Sequence, residues 1–324
     1  MDGQVNCYSQ NYSSSSQFSL DGFEKGKSSW GEYIKGVAWA LQQAGYDLTG
    51  WDGYLYSDIP IGAGLSSSAA LELTFARAFS IDSDIGWDPT KMALISQAAE
   101  NTWVGVNCGI MDQLIVAAAS PDCGLLIDCR SMEFDKVSLP PAAAFLIMDT
   151  STRRDLLNTT YNERRQSCMD AAQFFGEESL RDVTLSNLKE KGEGLDRTTY
   201  KRALHVISEN ERTLQASKAM RENNIIEFGK LINQSHDSLR DYYEVSSDEL
   251  DLIVNIARSN ENCYGARMTG AGFGGCAIAL VDEEHALQTS IEISQAYDRE
   301  TNLTSNIYIS KASGGTNITP ASVT

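Results

Sequence analysis

The chain has 324 residues, of which 42% are hydrophobic and 22% charged, enough for two ordinary domains that each bury a core. Its 44 acidic residues outweigh 26 basic ones, leaving a formal charge of −18 with no evident basic patch, which argues against nucleic acid or an anionic membrane surface as a partner. No apolar run approaches a membrane span, and residues 1–19 are polar and serine-rich where a secretory leader has a charged start and an apolar middle, so a cytoplasmic location is expected.

From residue 1 to 29 the chain is polar, with Tyr8, Tyr12 and Phe18 alternating weakly with serines, as in one or two strands leading to a loop. Gly22 to Ser28 superficially matches a Walker phosphate loop, but three residues separate the glycines where four are required. Trp30 to Gln43 puts Trp30, Tyr33, Ile34, Val37 and Leu41 on one helical stripe and ends at Ala44-Gly45. Gly50 to Asp58 alternates aromatic and polar residues, predicting a strand.

That strand feeds Pro60 to Glu72, Pro-Ile-Gly-Ala-Gly-Leu-Ser-Ser-Ser-Ala-Ala-Leu-Glu, a tight glycine loop delivering the chain into a helix. A helix start has unpaired N–H groups and the positive end of the dipole, and Gly62 and Gly64 let an anion approach the backbone. The serines add hydroxyls for phosphate or metal. A serine N-cap after a glycine turn is the plain alternative, although three consecutive serines exceed what capping needs.

Helices are predicted next over Ser67 to Phe79, Pro89 to Thr102 and Ile110 to Ala119, and short strands over Leu125 to Cys129 and Phe145 to Met148. This mixture lacks the regular alternation of a doubly wound sheet and indicates an α+β fold. Pro140 and Pro141 interrupt the pattern, so a domain boundary is expected near Leu139 to Ala144, giving domains 1–140 and 141–324. A polar turn from Asp149 to Asn162 leads to a long helix, and Ser186 to Asn260 is mainly helical. Gly270, Gly272 and Gly275 formally fit a dinucleotide fingerprint, but they lead into a strand-like run, Cys276 to Val281, and not a helix. A glycine turn packed against another loop or a ligand fits better, and the tail after Ser313 is expected to fray.

Seven cysteines, odd in number and with no Cys-x-x-Cys pair, suggest reduced and mostly buried thiols and argue against zinc. His205, His236 and His285 are too far apart for a histidine-ligated metal or a Ser-His-Asp hydrolase.

Five stretches together carry a resemblance: Pro60 to Ala70, Cys108-Gly-Ile-Met-Asp-Gln113, Leu126 to Ser131, Tyr161-Asn-Glu-Arg-Arg165 and Thr269 to Cys276. They resemble the GHMP small-molecule kinases, and within them the galactokinases, and Trp30 to Val37 and Ser238 to Ser246 are similar to further stretches of that group. The resemblance implies a two-domain GHMP-kinase-like architecture with the active site in the interdomain cleft, the first domain binding ATP. It assigns Gly62, Ala63, Gly64, Leu65, Ser66, Ser67 and Ser68 to the ATP phosphates, Ser68 and Glu100 to Mg²⁺, Asp112 to the general base, and Gly109, Asp112 and Tyr161 to the sugar.

Without the resemblance, Glu100 reads as a solvated helix-face acid, Asp112 as a helix-start acid and Tyr161 as a half-buried packing residue; Trp30 reads as core, with adenine as its alternative neighbour. The implied reaction is transfer of the ATP γ-phosphoryl group to the C1 hydroxyl of α-D-galactose. Galactokinases also carry an N-terminal segment Gly-Arg-x-Asn-Leu-Ile-Gly-Glu-His-x-Asp-Tyr with a transition-state arginine and sugar contacts, and Met1 falls roughly sixty residues into the family pattern. Impaired turnover is therefore expected of this sequence. A catalytically silent sugar or nucleotide sensor, and a kinase for arabinose, a uronic acid or N-acetylgalactosamine, are the competing readings.

Overall fold

The computed structural model describes residues 3–60, 64–152 and 157–320, with the side chains of 157–159 and 161 set aside. The chain forms two compact units: Met1–Ile61, Ser66–Lys136 and Ala312–Thr324 make the first, Gly62–Leu65 and Val137–Lys311 the second.

In the first unit, β1 (Gln4–Ser9) and β2 (Ser14–Ser19) form an antiparallel hairpin registered from Gln4↔Ser19 to Ser9↔Ser14. Helix α1 (Gly31–Gln43) then crosses over to β3 (Asp52–Leu55), which pairs parallel with β1, so the sheet order is β2-β1-β3. The predicted stripe of α1 is the buried one: Ile34, Val37 and Leu41 are fully covered, each contributing about 1.5–3 kcal/mol by burial. They meet α2 (Ser67–Asp82) and α3 (Pro89–Ala98) in a core that includes Leu73, Phe79 and Met92.

Helix α3 starts as its sequence dictates, with Pro89 in the first turn and Asp88 Oδ1 accepting from Lys91 N at 3.0 Å. It does not run unbroken to Thr102: at Ala99 the backbone widens into a π-helical segment, Ala99–Val104, ended by Gly105 in left-handed conformation. After α4 (Met111–Ala118), strands β4 (Cys123–Ile127) and β5 (Phe134–Ser138) make a two-stranded sheet. The first residues of the tail expected to fray are paired, and 321–324 lie outside the described residues. Instead of fraying, Gly315 N donates to Ala119 O and Thr316 N to Val116 O, both at 2.9 Å, using carbonyls that the end of α4 leaves free.

The second unit is built on an antiparallel sheet of order β7-β8-β6-β9, with β6 spanning Ala143–Asp149 and β9 Asn306–Ser310 at an edge. Between β6 and the next strand lie α5 (Leu157–Phe175), α6 (Leu185–Lys191), α7 (Arg197–Arg221), α8 (Ile225–Ser238), a π-helical turn at Leu239–Tyr243, and α9 (Asp248–Arg258). Strands β7 (Cys263–Met268) and β8 (Cys276–Asp282) flank the glycine turn, and α10 (Ala286–Thr301) precedes β9. Leu146, Met148, Leu250, Ile253 and Tyr297 are among the core residues.

Tyr297, fully buried on α10, donates its hydroxyl to Thr150 O at 3.1 Å and so anchors the end of β6 beside the glycine turn. Tyr297→Phe leaves that carbonyl unpaired, and urea unfolding should show a loss of about 1–2 kcal/mol.

Candidate active site

The helix start singled out from sequence has unusual chemistry in the fold. Ser66 is the N-cap of α2, held at φ 55°, ψ 35° in the left-handed region, and makes no side-chain cap. The Ser66, Ser67 and Ser68 hydroxyls make no hydrogen bond among the described residues, although serine is a preferred cap. Capping is therefore not their task. The first-turn N–H groups keep their affinity for an anion.

Ser67 and Ser68 face a cavity of about 480 Å³ in the first unit, whose other walls include Trp30, Tyr12, Tyr33 and Asn11. Trp30 bears out its reading as a core residue. It is only 9% exposed and packs in the core, yet its ring lines this cavity, stacked on Tyr12 at 6.1 Å and fixed by Nε1 donating to Ser14 Oγ at 3.0 Å. Asn11 is held by paired bonds with the Ser57 backbone.

Glu100 is not a solvated helix-face acid. It lies in the π-helical segment with 4% exposure, and its Oε2 accepts from Gln113 Nε2 at 2.7 Å and from the Cys108 thiol at 3.2 Å. The Gln113 amide also donates to Glu72 Oε2 at 3.1 Å, so one nitrogen bridges two buried carboxylates. Burial, and then the Glu100 charge, push the Glu72 carboxyl up to about 9. Burial and the bond to Glu100 likewise push the Cys108 thiol up to about 12. Tyr33, on the cavity wall, is raised to about 12 by burial, with the fields of Glu100 and Glu72 adding to it, which ties the carboxylates to the cavity electrostatically.

Asp112 occupies the first turn of α4, half-buried, with no hydrogen bond or ion pair among the described residues. Gly109 is exposed, and a Cβ there would meet nothing within 4 Å, so packing does not require its lack of a side chain. The oxygens offered by Ser68 and by Glu100 Oε1, which accepts no hydrogen bond among the described residues, suit Mg²⁺, a hard cation that takes few protein ligands. No cluster of three or more His, Cys, Asp or Glu side chains fit to hold a metal by itself occurs among the described residues.

Gly64 and Leu65 belong to the second unit, whereas Gly62 and Ala63 lie outside the described residues, as does the side chain of Tyr161. Gly64 lies against the glycine turn: a Cβ on Gly270 would come within 3.3 Å of Gly64 O. The turn is in turn pinned by Phe273 N donating to Val245 O at 2.7 Å and Gly275 N to Thr152 O at 3.0 Å. Gly272 has φ +86°, and its missing Cβ would stand 2.0 Å from Val245 O, so no other residue fits. The loop-on-loop packing expected of this turn is present. Arg164, from the Tyr161 to Arg165 stretch, donates to Tyr243 O and Glu244 O and lies over the Phe273 ring at 5.1 Å.

Sequence reading missed the roles of Gln113, Glu72 and Cys108, although all three lie inside stretches it singled out. The available clue was a buried-type position for an acid, Glu72, on the apolar face of α2.

Because the folded carboxyl of Glu72 titrates near 9 and an unfolded one near 4.5, the unfolded chain releases the proton first, and stability contributed by this group falls as pH rises between those values. Glu72→Gln abolishes that loss. Thermal unfolding of both proteins across this window should show the variant gaining steadily on the parent toward high pH; parallel curves would contradict a buried neutral acid.

The profile of the GHMP kinases N terminal domain matches residues 32–120, and that of the GHMP kinases C terminal region matches 216–298. A galactokinase of Roseiflexus sp. (strain RS-1) is 44% identical over 304 residues, covering 92% of this chain and 78% of its own. Among solved structures, Lactococcus lactis galactokinase, crystallised with galactose, superposes with TM-score 0.91 at 33% identity over 97% of this chain and 84% of that one. Methanococcus jannaschii mevalonate kinase shares the fold alone, with TM-score 0.65 and 19% identity over 96% and 85% of the two chains. With its uncapped helix start, free half-buried aspartate and glycine turn, this α+β, two-domain chain belongs to the galactokinases of the GHMP kinase family, which are ATP-dependent phosphotransferases.

Proposed function

We propose that this chain transfers the γ-phosphoryl group of ATP to the C1 hydroxyl of α-D-galactose, with Asp112 as general base. The observation that carries this reading is the Asp112 carboxylate, half-buried at a helix start, unpaired among the described residues, and three residues after a glycine that no packing demands. The galactose bound to the similar Lactococcus lactis enzyme supports the choice of acceptor.

In the step proposed, the C1 hydroxyl oxygen forms a bond to the γ-phosphorus while the bond from that phosphorus to the bridging oxygen breaks, its electron pair leaving on ADP. The hydroxyl proton passes to the Asp112 carboxylate. The N–H groups of the Gly62 to Ser68 loop and first turn of α2 hold phosphate oxygens, and the cavity lined by Trp30, Tyr12 and Asn11 takes the adenosine. Gly109 and Tyr161 contact the sugar. Ser68 and Glu100 would hold Mg²⁺, which when bound neutralises charge on the β- and γ-phosphates.

Residues 1–140 serve in this reading as the ATP-binding domain and 141–324 as the C-terminal domain. A reducing cytoplasm suits the seven cysteines, all free. No helix among the described residues is long and apolar enough to cross a membrane.

Asp112→Asn should lower galactose-dependent ADP release by about 10²- to 10⁴-fold while nucleotide affinity, read by calorimetry, stays unchanged. Turnover equal to the parent would remove Asp112 from this role. A sugar panel in the same assay checks the acceptor: faster release with arabinose, a uronic acid or N-acetylgalactosamine would reassign the substrate.

A further inference from the structure

We propose that Gln113 and Glu72 are positioning residues for Glu100, acting as a bridge of hydrogen bonds that fixes its carboxylate so that Oε1 is presented to the divalent cation of the nucleotide. The inference rests on the reading of Glu100 as a metal ligand and extends it to two residues that touch neither metal nor substrate.

Three observations support it. First, both contacts of Glu100 fall on the same oxygen, Oε2, from Gln113 and Cys108, which leaves Oε1 as the free one. The contacts from Gln113 and Cys108 therefore pin Oε2 and leave Oε1 open to another partner.

Second, Gln113 is itself immobilised. Its side chain is fully buried, and Nε2 makes its two shorter contacts with Glu100 and Glu72, with Cys108 Sγ farther off at 3.5 Å, so the amide ties the π-helical segment to α2 from α4. The two acceptors also settle which end of the amide is nitrogen. Glu72, with no exposed surface and fixed on α2, contributes the far anchor.

Third, the atoms left over identify what Glu72 supplies. Gln113 Oε1 and Glu72 Oε1 are both buried acceptors without a hydrogen-bond partner. A proton on the acid would relieve this crowding of buried acceptors around one amide. Glu72 therefore acts as a hydrogen-bonding group and not as a charge, and a glutamine at position 72 keeps a carbonyl oxygen to accept from Gln113 Nε2. The site then carries one metal-directed carboxylate charge, from Glu100, with the second acid serving as scaffold.

The experiment measures nucleotide affinity by calorimetry twice for each variant, in Mg²⁺ and in EDTA, and takes the ratio as the metal-linked gain. Gln113→Met keeps the volume and removes both donors; the metal-linked gain should fall about 10-fold or more, in the range of outer-shell substitutions, with EDTA affinity unchanged. Glu72→Met, cutting the other end of the bridge, should do the same, and Glu72→Gln should retain the parent's gain. Glu100→Gln serves as the direct comparison. If Glu100→Gln loses the gain but Gln113→Met and Glu72→Met keep it, the bridge is irrelevant and the inference falls while the ligand reading stands. If Glu100→Gln keeps the gain, both fall. Equal losses with and without Mg²⁺ in Gln113→Met and Glu72→Met would show a merely structural role, as would loss in Glu72→Gln equal to that in Glu72→Met.

Discussion

A helix start must find acceptors for its first N–H groups, and in α2 the three serines best suited to the task supply none. Much of the site follows from that withheld cap. Ser66 enters the helix through a left-handed conformation that costs an L-residue about 1–2 kcal/mol, and the Ser67 and Ser68 hydroxyls face the cavity unbonded. Strain and unspent donors in one place are what an anion would relieve on binding. In the second unit, the adjoining Gly64 is backed by a turn that admits only glycine at position 272, fastened through Val245 and Thr152.

Charge in the first unit is distributed by the same logic of donors. Glu32 and Glu72 are both buried glutamates, but their carboxyls are pulled in opposite directions. Around Glu32, burial works to raise the pKa, yet Lys35, the Gly26 N–H and the Trp103 ring N–H together hold it below the usual range. Glu72 has a single amide, shared with Glu100, and the field of that neighbour; burial prevails and the proton stays. The Glu32 charge is thus matched by hydrogen bonds, while burial and the neighbouring Glu100 favour the neutral form of Glu72, which avoids setting two buried negative charges side by side.

The sequence was legible wherever one residue type had one physical use. The apolar stripe of α1, the proline start of α3 and the glycine turn before β8 were read correctly because burial, a fixed φ and a close backbone approach each leave a mark in composition. Helix α10 escaped notice because its buried face is made partly of Thr289 and Ser290, which break the apolar period. The π-helical widening at Ala99 has no local marker, since it depends on what Glu100 meets across space. The tail read as frayed because its turn-forming composition says nothing of the α4 carbonyls that bind it. Asp112 was singled out through the motif around it, whereas its lack of partners among the described residues could come only from the fold.

Helix α4 shows how these pieces combine. At eight residues it is too short to be stable alone in water, so the placement of Asp112 depends on what holds the helix from outside. Successive helical residues point about 100° apart, so Asp112 can stand half-exposed while its neighbour Gln113 is driven into the interior, where its amide joins α4 to α2 and to the π-helical segment. At the other end the tail takes the carbonyls of Val116 and Ala119. The helix is therefore gripped at both ends by polar contacts, and its buried Leu114 and Ala117 fix its rotation. Asp112 can be left without partners among the described residues because the constraints on its position are met by the residues around it.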